Sequence, residues 1–233
     1  MRPYPSDSVQ GQIGEAWWEE TRDPKLRRGS LIWAWVPYIV EVPTEICPIA
    51  RVDGKDHQHV EIRACQFHRA NKPEKPELPV AALYTHDDER WLAYKAKERP
   101  AIVLADLCEP LTAPQGGYKP HYQPTIAVAP CFGIGAGTRA SFDDELVKRC
   151  RRAQYPQYIW DQLPLDTATE ASIIRLDQQM PIGRSLNNYR LAGWRMTAKA
   201  VEILDDWVTW FRTGKLIEDA DLQVLNAMFA LEA

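Results

Sequence analysis

The chain has 233 residues and is 45% hydrophobic, enough to bury a core without disulfide or metal staples. Its formal net charge of −4 and pI near 5.8 argue against a duplex-DNA binder, whose balance is strongly basic, though a local basic patch is compatible with them. Five cysteines without a CxxC pair, no apolar leader and no run approaching the ~20 apolar residues of a membrane span predict a reduced, cytoplasmic protein with no membrane partner.

Residues 1–28 are polar and irregular, with a short helix expected over 14–21 that carries Trp17 and Trp18 back onto the domain. Leu31-Ile32-Trp33-Ala34-Trp35-Val36 reads as the first strand. Leu31, Trp33 and Trp35 share one face; Ile32, Ala34 and Val36 share the other. Apolar residues on both faces mark a doubly covered strand or a barrel stave, and Pro37 should weaken pairing. Residues 38–98 read as an insertion. Within it, 38–42 and 60–67 have strand character, and 71–79 is a proline-rich, charged connector. Asp87 or Asp88 is placed to cap a helix running to about Lys97, which must stop before Pro100.

Residues 99–105 and 125–130 are short apolar runs bounded by turn signals, hence buried strands. Between them 113–124 is a loop, and 133–137 is a glycine-rich turn. Residues 141–152 predict a helix, with Asp143, Asp144 and Glu145 at its start and Lys148, Arg149, Arg151 and Arg152 at its end, an order that suits the helix dipole. Residues 171–178 predict a strand in which Ile174 and Leu176 point one way while Ile173, Arg175 and Asp177 point the other. From Thr197, a plausible cap, Val201, Leu204, Val208 and Phe211 follow helical spacing to Gly214. A last amphipathic segment carries Leu222, Leu225 and Met228. Both stripes read as core or dimer contacts. The fold class is mainly β with helices (α+β), in a single domain over 1–233 with a helical segment at 197–233.

Three groups of residues can carry chemistry. Arg175 and Asp177, two apart on one strand face, can meet one phosphate, the guanidinium as a fixed donor fork and the carboxylate as a proton acceptor; the same spacing fits a plain surface ion pair. Lys148, Arg149, Arg151 and Arg152, followed by Tyr155, Tyr158 and Trp160, combine charge with stacking surfaces, as single-stranded RNA binding requires; a solvated helix face with a packed loop fits equally. His57, His59, Cys65 and His68, with Cys47 upstream, are zinc-ligand types, but their spacing matches no common finger, and scattered surface histidines are the expectation. Gly133-Ile134-Gly135-Ala136-Gly137 lacks the Lys-Ser/Thr of a phosphate loop, so nucleotide binding is not expected; with the zinc pattern also unmatched, no cofactor or metal is expected.

Four segments, in order, resemble the PemK/MazF family of RNA-cleaving toxins. Gly29-Ser30-Leu31-Ile32-Trp33 resembles the family's opening Gly-Asp-x-Val/Ile-Trp strand. Arg99-Pro100-Ala101-Ile102-Val103-Leu104 resembles its Arg-Pro-Ala-Val-Val-Leu strand. Residues 126–131 resemble the strand ending in Val-Pro-x-Thr, and Arg175-Leu176-Asp177-Gln178 resembles Arg-x-Asp-Gln. The resemblance implies an SH3-like β-barrel with long insertions and a closing C-terminal helix, often a homodimer. It implies metal-independent cleavage of single-stranded RNA by attack of the ribose 2′-hydroxyl, with Arg175, Asp177 and Arg99 at the cleavage site. RNA contacts are then expected from Arg149, Arg151, Arg152, Tyr155 and Gln178. An antitoxin protein would fill the RNA groove. The family's catalytic threonine falls on Phe132, which has no hydroxyl; Thr138 and Ser141 are the nearby substitutes. This departure keeps open a binding module that has lost its nuclease and recruits RNA or a protein, of which a gyrase-type target is one form.

Overall fold

The computed structural model describes residues 2–56, 58–70, 83–86, 88–105, 125–135, 142–166, 171–185 and 187–231. In chain order the elements are α1 (Val9–Gln12), β1 (Trp18–Glu20), β2 (Ser30–Pro37), β3 (Thr44–Arg51), β4 (Val60–Gln66), β5 (Trp91–Ala93), β6 (Ala96–Ala105), β7 (Ile126–Ile134), α2 (Asp144–Arg151), β8 (Tyr158–Asp161), β9 (Ala171–Arg175), β10 (Met180–Ile182), β11 (Tyr189–Met196), α3 (Ala198–Thr213) and α4 (Asp221–Leu231). The chain divides into two compact units, Met1–Trp35 with Glu98–Ala233, and Val36–Lys97.

The larger unit is mainly β, an antiparallel sheet curled into a half-barrel, with a few helices. Its strand order is β1-β11-β2-β6-β7-β9-β8, with β10 also on β7. β7 is the hinge of the sheet. One edge pairs with β6 (Ala101 opposite Pro130, Val103 opposite Val128). The other edge pairs with β10 at its start and with β9 at its end. Alternation along the strands builds a core on each face. Leu31, Ile102, Leu104, Ala129, Cys131 and Ile174 face α3 and α4, where Ile203, Leu204, Trp207, Leu222 and Phe229 meet them. Ile32, Ala34, Ala101, Val103, Ile126 and Val128 form a smaller core on the opposite face. A third cluster, with Ile134, Trp160 and Ile173, is packed against Leu146 and Val147 of α2.

The helix ends follow local chemistry. Thr197 Oγ1 accepts from the Ala200 N–H at 3.3 Å, and Gly214 closes α3 in the left-handed conformation at φ 72°. Asp143 caps α2 through the Leu146 N–H at 3.3 Å, ahead of Asp144 and Glu145 in the first turn.

Several expectations are corrected. The helix expected over 14–21 is instead a short helix at Val9–Gln12 and a strand at Trp18–Glu20, because Trp18 pairs with Met196 across the sheet. Residues 38–42 hold no strand; Ile39 and Val40 form a turn. In place of a helix up to Lys97 lie β5 and β6: Leu92 pairs with Glu45 of β3, and a ladder overrides helix propensity. The strand expected over 171–178 ends at Arg175, and Leu176–Gln178 is a single 3-10 turn. Met228 is exposed, while Phe229 fills the core under α4. The connector at 71–79, the loop at 113–124, Asp87, Thr138 and Ser141 lie outside the described residues.

The smaller unit holds a three-stranded antiparallel sheet in the order β4-β3-β5. Arg90 pairs with Glu45 at 3.3 Å within it. No helix among the described residues is long and apolar enough to cross a membrane.

Candidate functional site

Parity along the strands decides which polar side chains emerge together. On β6, Arg99 shares the face of Ala101 and Val103; on β7, Phe132 shares the face of Val128. The register of β7 on β9 sets Phe132 opposite Ile173, which puts Arg175 on this face too. Tyr158 of β8 lies directly opposite Arg175. Four side chains from four adjacent strands thus converge beside the smaller core.

They stack as alternating cations and rings. The Arg99 guanidinium lies 4.3 Å from the Phe132 ring centre. The Arg175 guanidinium lies 5.7 Å from the same ring and 5.0 Å from that of Tyr158, within reach of cation–π attraction. Asp177 enters from the 3-10 turn rather than along the strand. Arg175 Nε donates to its Oδ1 at 2.7 Å and Nη2 to its Oδ2 at 2.5 Å, a bidentate pair. This pairing holds the Arg175 guanidinium above its ordinary pKa, against the opposing effect of partial burial. The turn itself is anchored by the Leu176 N–H donating to the Gln157 carbonyl at 3.0 Å. Gln178 ends that turn, half-buried.

The basic helix divides in two. Arg149 donates to Glu145 at 3.2 Å and to the Tyr155 hydroxyl at 3.3 Å. The Tyr155 ring meets Tyr158 edge-on at 6.0 Å, so Arg149 and Tyr155 extend the row that begins at Arg99. Arg151 and Arg152 turn the other way. Both pair with Asp7, Arg152 at 3.7 Å, and so fasten the N-terminal segment. Trp160 is buried, with its ring against Tyr4. The sequence pattern missed the place of the Phe132 ring between two guanidinium groups; its position opposite Ile173 follows only from the β7–β9 register.

The histidine and cysteine candidates separate. His59 pairs with Asp56 at 2.5 Å, His68 Nδ1 accepts from the Ala70 N–H at 3.3 Å, and His57 lies outside the described residues. Among the described residues no three His, Cys, Asp or Glu side chains converge as a metal-binding group. Cys47 and Cys65 do meet, with sulfurs 3.6 Å apart.

No protein-family model matches the chain, and no curated protein or solved structure matches it.

Proposed function

We propose that this face binds single-stranded RNA and cleaves it without a metal, in the manner of the PemK/MazF toxins that the four sequence segments resemble, and that the half-barrel is the family's SH3-like barrel. The observation that carries the reading is the bracketing of one half-buried aromatic ring, Phe132, by two guanidinium groups, Arg99 and Arg175, from the strands on either side of it. Rings offer any base a stacking surface, and arginines follow the phosphates. The row through Tyr158, Tyr155 and Arg149 lengthens the track.

Cleavage on this face would form the bond from the ribose 2′-oxygen to phosphorus and break the bond to the 5′-oxygen. The departing 5′-oxygen takes a proton from water, and the products are a 2′,3′-cyclic phosphate and a 5′-hydroxyl end. Arg175 and Arg99 stabilise the charge that builds on the phosphate. Asp177 receives the 2′-hydroxyl proton once the phosphate has drawn Arg175 from it, because both its oxygens are committed to that arginine at rest. An antitoxin protein and a second copy of the chain are the partners that the reading brings with it.

A second reading rests on Phe132. Where the family has a hydroxyl there is a hydrocarbon ring, which leaves the departing oxygen without a side-chain donor at that position; on this reading the site grips RNA and does not cut it. End-labelled single-stranded RNA incubated with the protein in EDTA separates the two. The nuclease predicts cyclic-phosphate products whose rate falls about 100-fold or more in Arg175→Ala. Binding without products, weakened in Arg99→Ala and Arg175→Ala, supports the second reading. RNA that neither binds nor is cut, with the fold intact by circular dichroism, overturns both.

A further inference from the structure

In the smaller unit, β3 and β4 pair so that Glu45 faces Cys65 and Cys47 faces Arg63. The two cysteines are therefore diagonal neighbours on one face of the ladder. Diagonal positions of a flat ladder stand about 7 Å apart, at the limit for a disulfide bridge. The register shift between Pro48 and Ala50 adds local twist, and the sulfurs lie 3.6 Å apart. Rotation about the side-chain bonds has about 1.5 Å left to close to reach the ~2.05 Å of an S–S bond.

We propose that Cys47 and Cys65 form a redox site, converted by a hydroperoxide into a disulfide that ties β3 to β4. The two thiols differ in a way that orders the steps. Cys47 is 5% exposed, and burial, then the Cys65 sulfur and Glu45, hold its thiol above the ordinary cysteine range, with Arg63 opposing. Cys65 is half-buried, the less buried of the two. The Cys65 thiolate attacks the outer peroxide oxygen and becomes a sulfenic acid, while the O–O bond breaks and the leaving alkoxide or hydroxide takes up the proton that the thiol released, departing as an alcohol or water. The Cys47 sulfur then attacks the Cys65 sulfur, the S–S bond forms, and hydroxide leaves with the Cys47 proton as water. Two thiols are oxidised and one peroxide is reduced. The other described cysteines are poor competitors: Cys131 and Cys150 are buried, and burial pushes both thiols up, Cys150 to about 12.

The test is graded hydrogen peroxide on the full chain, followed by thiol counting and peptide mapping. The expected result is loss of two of the five thiols together, with a dithiothreitol-reversible link between the peptides carrying Cys47 and Cys65. Cys65→Ser should leave Cys47 reduced under the same dose. Cys47→Ser should stop Cys65 at a sulfenic acid that dimedone traps. Over-oxidation of Cys65 without a link, a link from either residue to Cys108, Cys131 or Cys150, or survival of both thiols at doses that consume cysteines of the urea-unfolded chain would each overturn the proposal. Wild-type mapping decides the matter even if Cys47→Ser does not fold.

Discussion

Asp161 is fully buried, and among the described residues its carboxylate accepts from three donors of the N-terminal segment. Trp17 Nε1 donates to Oδ2 at 2.6 Å, while Trp18 Nε1 and the Tyr4 hydroxyl donate to Oδ1 at 3.1 and 2.9 Å. Burial pushes this carboxyl up to about 7, against the pull of the three hydrogen bonds. An acidic group placed here fixes residues 4–18 on the sheet by hydrogen bonds that become charge-assisted once it ionises, and penalises any arrangement that leaves it alone. Trp17→Phe keeps most of the packing and removes one donor. We expect a loss of about 1.5–3 kcal/mol at pH 8, read from urea unfolding. A loss near zero would mean that Trp17 acts through its hydrocarbon surface alone.

At the scale of elements, two glycines separate backbone strain from crowding. Gly214, the left-handed end of α3, has open space where a Cβ would sit. Gly29 is also left-handed at φ 79°, but there a Cβ would lie 2.8 Å from Val201 Cγ2 and 3.1 Å from Met196 Cβ. Gly29 also bonds both neighbours of β2, donating to the Val103 carbonyl at 2.8 Å and accepting from the Met196 N–H at 3.0 Å. Gly214→Ala should cost about 1 kcal/mol, the strain of a left-handed L-residue. Gly29→Ala should cost about 2–4 kcal/mol, because overpacking at the α3–sheet contact adds to the same strain. Equal costs in denaturant unfolding would show that the α3 side chains move aside freely.

For the whole molecule, Asp161 links stability to pH with a definite sign. In the unfolded chain its carboxyl ionises near 4; in the folded chain it holds its proton up to about 7. Between these values the folded state binds the extra proton, so this contribution to stability falls as pH rises through the window and levels off above it. The slope is at most about 1.4 kcal/mol per pH unit. Subtracting the unfolding curve of Asp161→Asn from that of the wild type, from pH 5 to pH 8, isolates the effect. A difference that is flat or that rises with pH would mean the carboxyl is ionised throughout.

The local pattern by itself determined much of this protein: the apolar parity of β2, β6 and β7, the Thr197 cap, the Gly214 stop and the acidic-to-basic order of α2 all act within a few residues of where they are written. Those signals place Arg99 and Arg175 on strands. Other features were decided only by tertiary contact. Residues 88–97 prefer a helix until β3 offers Leu92 a ladder. The strand carrying Arg175 stops early, so Asp177 reaches the guanidinium from a turn and not along a pleat. Of four basic side chains with one local pattern, Arg151 and Arg152 are claimed by Asp7, 144 residues from Arg151 in sequence, while Arg149 joins the aromatic row. A short-range pattern fixes a side chain's face; only the pairing of distant strands fixes what it meets there, since register depends on cores and partners that no local window contains.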